Sequence, residues 1–281
     1  MEKILVCLKQ VPNTKDVKID PENHTLVREG VDSIINPFDD FALEEALKLK
    51  KKHGIKVGTM TMGPPQAEEM LEYSLKRGAD EAFLFSDRRL AGSDTWATAI
   101  AIVALIKKAG YDSVFCGQES IDSGTGHMGA SIAELLNLPQ VNYARTIVAL
   151  KKNKLQVLTK FDRADAVLEV TTPVVVSFLK KDDNDVKLKA DAKADIRKIQ
   201  KVTLDDLKLD PKYVGLDGSF TQVVNIDIDE RFVGYMTVDN EMSADERILY
   251  ISNGGITENT DRKVIKDLNP ESIEEIVHLI K

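Results

Sequence analysis

The residues best equipped for chemistry lie between positions 116 and 129, in the stretch Cys116-Gly117-Gln118-Glu119-Ser120-Ile121-Asp122-Ser123-Gly124-Thr125-Gly126-His127-Met128-Gly129. The apolar run 113–115 before it reads as a short buried strand, and Ala130-Ser131-Ile132-Ala133-Glu134-Leu135-Leu136 after it reads as a helix. A strand, a glycine-rich turn and a helix start together make an anion site. The first N–H groups of a helix have no partner within it, and its dipole favours negative charge there. Glycine lets the backbone come close to a phosphate. The spacing therefore points to a phosphorylated ligand, with a nucleotide as the first candidate. A plain glycine-rich turn is the alternative. Asp122, Ser123 and Thr125 weigh against it, because they crowd partners for ribose hydroxyls and phosphate into one turn.

Two familiar nucleotide motifs do not fit. Gly124-x-Gly126-x-x-Gly129 matches the dinucleotide fingerprint in spacing, but that fingerprint belongs in the first strand–helix turn, with an acidic residue about 20 residues further on. Here it follows roughly the fourth strand, and residues 141–160 read as strands. No Gly-Lys-Ser/Thr occurs, so a P-loop is excluded. The four histidines, at 24, 53, 127 and 278, are scattered. Only His127 lies in the loop, where a ligand-contacting or capping role suits it better than metal binding. No spacing suggests a catalytic carboxylate pair, a Ser/His/Asp set or an activated cysteine. No metal site is expected.

The chain has 281 residues, 43% hydrophobic and 30% charged, ordinary for a folded globular protein. A net charge of -8 argues against nucleic acid. The lysine-rich stretches are interrupted by acids and read as solvated faces. Cys7 and Cys116 sit in apolar runs, and buried packing in a reducing compartment is expected. The N-terminus enters a strand at once, without signal-peptide architecture, and no apolar run is long enough to span a bilayer. A cytoplasmic location without membrane insertion is expected.

Several elements must position the loop. Residues 3–9 read as a strand buried on both faces, broken at Pro12 and Asn13, with a loop or small ribbon beyond. Asn36 is a good N-cap, with Pro37 at the first helical position, for a helix ending at Gly54. Strands at 55–62, 81–85 and 113–116 alternate with helices that end at Gly78 and Gly110, the second capped by Ser93 or Asp94. Alternation of this kind implies a doubly wound, mostly parallel sheet with ligand sites beyond the carboxyl ends of its strands. Residues 7–9, 36–39 and 62–63 are expected to meet the glycine loop in one crevice. Four further strands, 141–150, 155–161, 166–170 and 174–179, extend the sheet or form an antiparallel flap. Residues 182–201 read as a charged helix. Short segments, a strand over 222–228 and a helix over 270–280 complete a tail with too few apolar residues for its own core. The expected division is a nucleotide-binding α/β domain over 1–200 and an extension over 201–281 that packs on a partner subunit. Trp96 reads as a core anchor; Arg77, Arg88, Arg89 and Arg145 read as surface residues.

These motifs resemble the beta subunit of electron-transfer flavoproteins. The resemblance rests on Ile4 to Pro12, on Val27-Arg28-Glu29-Gly30, on Asn36-Pro37-Phe38-Asp39-Asp40 through Ala46, on Gly78 to Ala82 and, most specifically, on Gly117 to Gly129 followed by Ala133-Glu134-Leu135-Leu136 and Leu138-Pro139-Gln140. It covers about residues 1–180 well and persists, more weakly, to 218. It implies a Rossmann-like fold, a heterodimer with an alpha subunit that carries the electron-transferring FAD, and an adenine nucleotide in this chain. In conventional members that nucleotide is AMP. In electron-bifurcating members it is a second FAD that takes hydride from NADH and splits the pair between ferredoxin or flavodoxin and, through the alpha-subunit FAD, an acyl-CoA dehydrogenase-like or lactate dehydrogenase-like flavoprotein. Asp122-Ser123-Gly124-Thr125-Gly126 looks like the bifurcating type, with small residues that leave room for a flavin diphosphate; the AMP form stays open.

By position, the resemblance places Cys7 and Lys9 along the nucleotide, Asn36 and Asp39 on its adenosine side, and Met62 at its flank. Gln118, Asp122, Thr125, Gly126, His127, Met128 and Gly129 fall at ribose and phosphates, and Leu188 at the dehydrogenase-docking leucine. Two departures are His127, where the family usually has Gln, and the polar stretch 185–190. Two other classes compete. One is a universal-stress-like ATP-binding module, against which the long extension after the fourth strand argues. The other is a nicotinamide dehydrogenase acting alone, for which no first-turn fingerprint is present.

Overall fold

Ile4, Leu5 and Val6 are fully buried, as a strand covered by helices on both faces requires. They form the middle of β1 (Lys3–Cys7). The order continues through β2 (Gln10–Pro12), β3 (Ser33–Ile35), α1 (Pro37–His53), β4 (Lys56–Met62), α2 (Glu68–Arg77), β5 (Glu81–Phe85), α3 (Thr95–Ala109), β6 (Ser113–Gly117), α4 (Met128–Leu136), β7 (Gln140–Lys151), β8 (Lys154–Lys160), β9 (Asp165–Thr171), β10 (Val175–Phe178), β11 (Ile199–Val202) and α5 (Leu204–Leu207). The computed structural model describes residues 1–13, 33–180 and 195–222. The segments expected at 27–30, 223–228 and 270–280 lie outside them.

Among the described residues, nine strands form one sheet in the order β11-β5-β4-β1-β6-β10-β7-β8-β9. From β11 to β7 all neighbours are parallel, and β8 and β9 add an antiparallel edge. The expectation of a mostly parallel sheet with added antiparallel strands therefore holds, and β10 lies inside the parallel part, between β6 and β7. Alternate side chains feed two layers. Ile4, Val6 and Phe115 pack with Phe41, Leu43 and Leu71 of α1 and α2. Leu5, Met60 and Val114 pack with Ile102, Leu105 and Ile132 of α3 and α4. From β1 the chain builds outward through β4 and β5, then crosses to β6 on the other side. That reversal puts the switch point between the carboxyl ends of β1 and β6, where open α/β sheets hold ligands.

The helix stops follow the glycines. Gly54, Gly78 and Gly110 all have positive φ (71°, 113° and 67°) and end α1, α2 and α3, because only glycine takes the left-handed conformation without a Cβ clash. Asp94, not Ser93, caps α3, accepting the Ala97 N–H at 2.9 Å.

Four expectations are corrected. The first strand stops at Cys7, and Gln10 to Pro12 turn away to pair antiparallel with β3. The charged stretch expected to be helical through 201 contains β11, which lies parallel to β5 from Ile199 to Val202. Gln200 and Lys201 suit that place, because an edge strand tolerates charge. Trp96 is not a core anchor: it is 37% exposed and its ring lies 6.1 Å from that of Phe220. Arg77 is not a surface residue: its side chain is 3% exposed, paired with Asp40 and stacked on the Tyr73 ring at 5.4 Å. Residues 195–222 belong to the compact unit Met1–Val224. Leu204 and Val214 are buried in the α3–α4 layer, so the sheet and its packing continue past position 200.

Candidate nucleotide site

A cavity of about 520 Å³ opens at the switch point, within the roughly 300–1,000 Å³ typical of small-molecule sites. Cys7, Leu8 and Lys9 come from the end of β1, Met62 from β4, Cys116 and Gly117 from β6, and Asn36 and Asp39 from the start of α1; all line it. Gln118, Glu119, Ser120, Ser123, Thr125, Gly126 and Met128 close the side toward α4. Residues 7–9, Asn36, Asp39 and Met62 therefore do meet the glycine loop.

The loop is held from below by side chains already engaged with protein. Lys9 donates from Nζ to Asp122 Oδ1 at 2.6 Å, Ser120 Oγ at 3.1 Å and Ser123 Oγ at 3.3 Å. The Asp122 side chain is 3% exposed, so it faces this ammonium rather than the cavity. Asn36 occupies the N-cap position of α1 without capping it. Its Nδ2 donates to the Glu119 carbonyl at 2.8 Å, and its Oδ1 accepts the Ile121 N–H at 3.4 Å. The expectation of an N-cap is right in position and wrong in partner. Gln118, also buried, accepts the Tyr143 N–H at 2.8 Å. Tyr143 has φ 55°, an unusual conformation for a bulky residue, beside the irregularity where β7 pairs with β10.

Asp39 is the hub. Oδ1 accepts the Gly117 N–H at 2.7 Å and Oδ2 accepts the Lys9 N–H at 2.8 Å, so one carboxyl joins the ends of β6 and β1. A Cβ on Gly117 would lie 2.5 Å from Asp39 Oδ1, which leaves glycine as the residue for this approach. Burial pushes the Asp39 carboxyl up to about 7; the Gly117, Asn36 and Lys9 hydrogen bonds and the Lys9 charge only partly offset it. Burial also pushes the Cys116 thiol up to about 12 and raises the Cys7 thiol, with smaller contributions from neighbouring Cys116 and Asp39 to Cys7. Both are free, neutral thiols at the cavity floor.

Gly124 and Gly126 have φ 62° and 66°. A Cβ on Gly124 meets nothing within 4 Å, and one on Gly126 makes only ordinary contact with Gln118. Backbone conformation, rather than crowding, is what demands glycine there. Gly129 is different. It lies in the first turn of α4, buried against the sheet, and a Cβ would stand 2.0 Å from Ser177 Oγ, so it serves close helix–strand packing. His127 sits at the N-cap of α4 with an exposed side chain and no side-chain cap bond; its carbonyl accepts from Ser131. Of the two roles expected of its ring, ligand contact or capping, the capping bond is not made. Leu188 lies outside the described residues.

Sequence reasoning missed the opposite wall, made of Leu90, Gly92, Ser93, Asp94, Thr95, Thr98 and Ile102. The signal was present in the Ser93-Asp94 cap, which places the start of α3 at the same end of the sheet as the loop.

Comparison with known proteins bears on this geometry. The electron transfer flavoprotein domain matches residues 23–207. The chain is 46% identical over 224 residues to the electron transfer flavoprotein subunit beta of Thermoanaerobacterium thermosaccharolyticum, covering 79% of this chain and 86% of the relative. The chain belongs to the electron transfer flavoprotein family, as a beta subunit. It is 42% identical over 226 residues to subunit CarD of the caffeyl-CoA reductase-Etf complex of Acetobacterium woodii, with coverage of 79% and 86%. It is 42% identical over 183 residues to protein FixA of Azorhizobium caulinodans, with coverage of 63% and 65%. Electron transfer is therefore the setting in which this electron transfer flavoprotein subunit works. Among the described residues no helix is long and apolar enough to cross a membrane.

Proposed function

We propose that this beta subunit holds FAD in the switch-point crevice and works in an electron-bifurcating complex with an alpha subunit. The observation that carries the reading is the joining of the glycine loop and the start of α4 to the ends of β1, β4 and β6 around one cavity. The donors there suit a nucleotide diphosphate. Lys9 is occupied by Asp122 and two serines, so phosphate oxygens fall to backbone N–H groups at the α4 N-terminus and to the hydroxyl of Thr125. Similarity to a subunit named for a caffeyl-CoA reductase-Etf complex supports a beta subunit that works within a larger reductase assembly.

FAD bound here would take a hydride from NADH and pass one electron to ferredoxin or flavodoxin and the other, through the alpha-subunit FAD, to an acyl-CoA dehydrogenase-like or lactate dehydrogenase-like flavoprotein. This chain's own residues position rather than react. Asp39 fixes the strand ends, Asn36 and Lys9 fix the loop, and Cys7, Met62 and Ile102 give the cavity an apolar side. Leu188 is assigned to docking of the dehydrogenase, and the C-terminal extension to the alpha subunit, in the cytoplasm.

The test is the nucleotide content of the purified alpha–beta heterodimer, read by chromatography after acid release. Two FAD per heterodimer without AMP supports the proposal, with NADH-dependent ferredoxin reduction as its next requirement. One FAD and one AMP makes this a conventional electron shuttle whose crevice is structural.

A further inference from the structure

We propose that Asp94 is a positioning residue of the nucleotide crevice, tying the segment Gly215–Thr221 to the wall formed by the start of α3, so that this C-terminal segment is part of the site. The inference rests on the reading of the crevice as a nucleotide site.

Asp94 works in two directions. Oδ1 accepts the Ala97 N–H at 2.9 Å and caps α3. Oδ2 accepts the Thr221 N–H at 2.9 Å and the Thr221 hydroxyl at 3.0 Å, and the Asp94 N–H donates to Ser219 Oγ at 2.8 Å. The Ser219 hydroxyl in turn faces the carbonyls of Gly215 at 2.6 Å and Gly92 at 3.2 Å. Beside it, Ser93 Oγ accepts the Gly215 N–H at 2.8 Å. The bonds between the two strips of chain span more than 120 positions of sequence, and they converge on residues 92–94.

The fit is close on both sides. A Cβ at Gly215 (φ 63°) would stand 2.4 Å from the Arg89 carbonyl, and one at Gly92 (φ 76°) would stand 2.6 Å from the Leu216 side chain. Two left-handed glycines, one on each strip of chain, thus permit an approach that side chains would forbid. The same wall, from Gly92 through Thr95 to Thr98, lines the cavity. Gly92, Ser93 and Asp94 therefore both border the ligand space and hold the 215–221 segment. The capped first turn of α3 cannot shift against one without shifting against the other. Free energy that orders this wall is gained before the ligand arrives, and preorganisation of that kind shows as slower ligand loss.

Variants separate the latch from the cap. Ser219→Ala with Thr221→Val removes hydroxyls on the segment only and leaves Asp94 to cap α3. Asp94→Asn keeps one oxygen and loses the second acceptor. Each is made in the alpha–beta heterodimer, stripped of nucleotide and reloaded separately with FAD and with AMP. The dissociation rate of the nucleotide held by wild type is expected to rise about tenfold in both variants, equivalent to about 1.4 kcal/mol. Thr221→Ser, which keeps the hydroxyl, is expected to stay near wild type. A lowered melting temperature of the stripped heterodimer with an unchanged dissociation rate would overturn the inference, since the segment would then be scaffolding alone. Failure of wild type to retain either nucleotide would remove the nucleotide reading itself, and this inference with it.

Discussion

Asp39→Asn tests the hub of the site through pH. The wild-type carboxyl is 6% exposed, and burial lifts it from 3.8 to about 7. A carboxyl raised by folding binds its proton more tightly in the native state than in the unfolded chain. It therefore contributes stability that is full below about pH 4 and is lost as pH rises toward 7. At 1.36 kcal/mol per pH unit, wild type loses about 3 kcal/mol through this group between pH 5 and pH 8. Asparagine has nearly the same shape, keeps one acceptor for the Lys9 or Gly117 N–H, and does not titrate. The stability of wild type relative to Asp39→Asn is therefore expected to fall by about 3 kcal/mol from pH 5 to pH 8. Urea unfolding of the heterodimer at several pH values measures this as a shift in midpoint at constant slope. Nucleotide retention is expected to move the other way: above pH 7 only the carboxylate can accept both N–H groups at full strength, so the variant loses nucleotide faster there. Parallel stability curves for the two proteins would refute the reasoning, because they would mean that Asp39 stays ionised throughout that range.

The other expectations concern the loop and its supports. Asn36→Ala removes its bonds to residues 119 and 121 and its hydrogen bond to the Asp39 carboxyl, but no cap; nucleotide loss is expected to quicken about tenfold while the helical circular-dichroism signal stays unchanged. Lys9→Met leaves the Asp122 carboxylate without its ammonium. Because Lys9 is itself 42% exposed, the cost is expected at about 1–2 kcal/mol in unfolding measurements, below that of a fully buried pair. Gly126→Val forces a branched residue to φ 66°, a strain of about 1–3 kcal/mol. Weaker FAD or AMP binding with an intact sheet is the expected outcome, and unchanged cofactor content would count against the site. Gly129→Ala puts a methyl 2.0 Å from Ser177 Oγ and is expected to destabilise by about 1–3 kcal/mol. Adding Ser177→Ala is expected to recover most of that loss in thermal unfolding.

What was legible in the sequence was local. Runs such as Ile4-Leu5-Val6 and Ala82-Phe83-Leu84-Phe85 announce strands buried on both faces, because no other arrangement hides so much apolar surface in so few residues. Gly54, Gly78 and Gly110 announce helix ends, because the conformation they supply is needed within one residue of the stop. The glycine loop was visible for the same reason: positive φ at 124 and 126 must be met by the residues at 124 and 126. Less visible were the partners of side chains whose type suits a local role. Asn36 has the chemistry of a cap and the position of one, yet its amide bonds residues more than 80 positions away. Gln200 and Lys201 look too polar for a sheet until the sheet's edge is known to lie there.

Asp94 combines the two kinds of information. Its bond to Ala97 is the local one that the sequence announces, and its bonds to Thr221 depend on where a segment more than 120 residues later returns. The same division runs through the cavity. The loop side follows from residues adjacent in sequence, whereas the α3 side reaches the cavity because α3 carries the chain from β5 over to β6, on the far side of β1. A crevice at a switch point is by construction made of segments that are distant in sequence. One of its walls can be spelled by a motif, and the facing wall is set by topology. Mutations on the two walls are therefore expected to differ: on the loop wall they act through backbone conformation at the substituted residue, and on the α3 wall through the packing of remote chain.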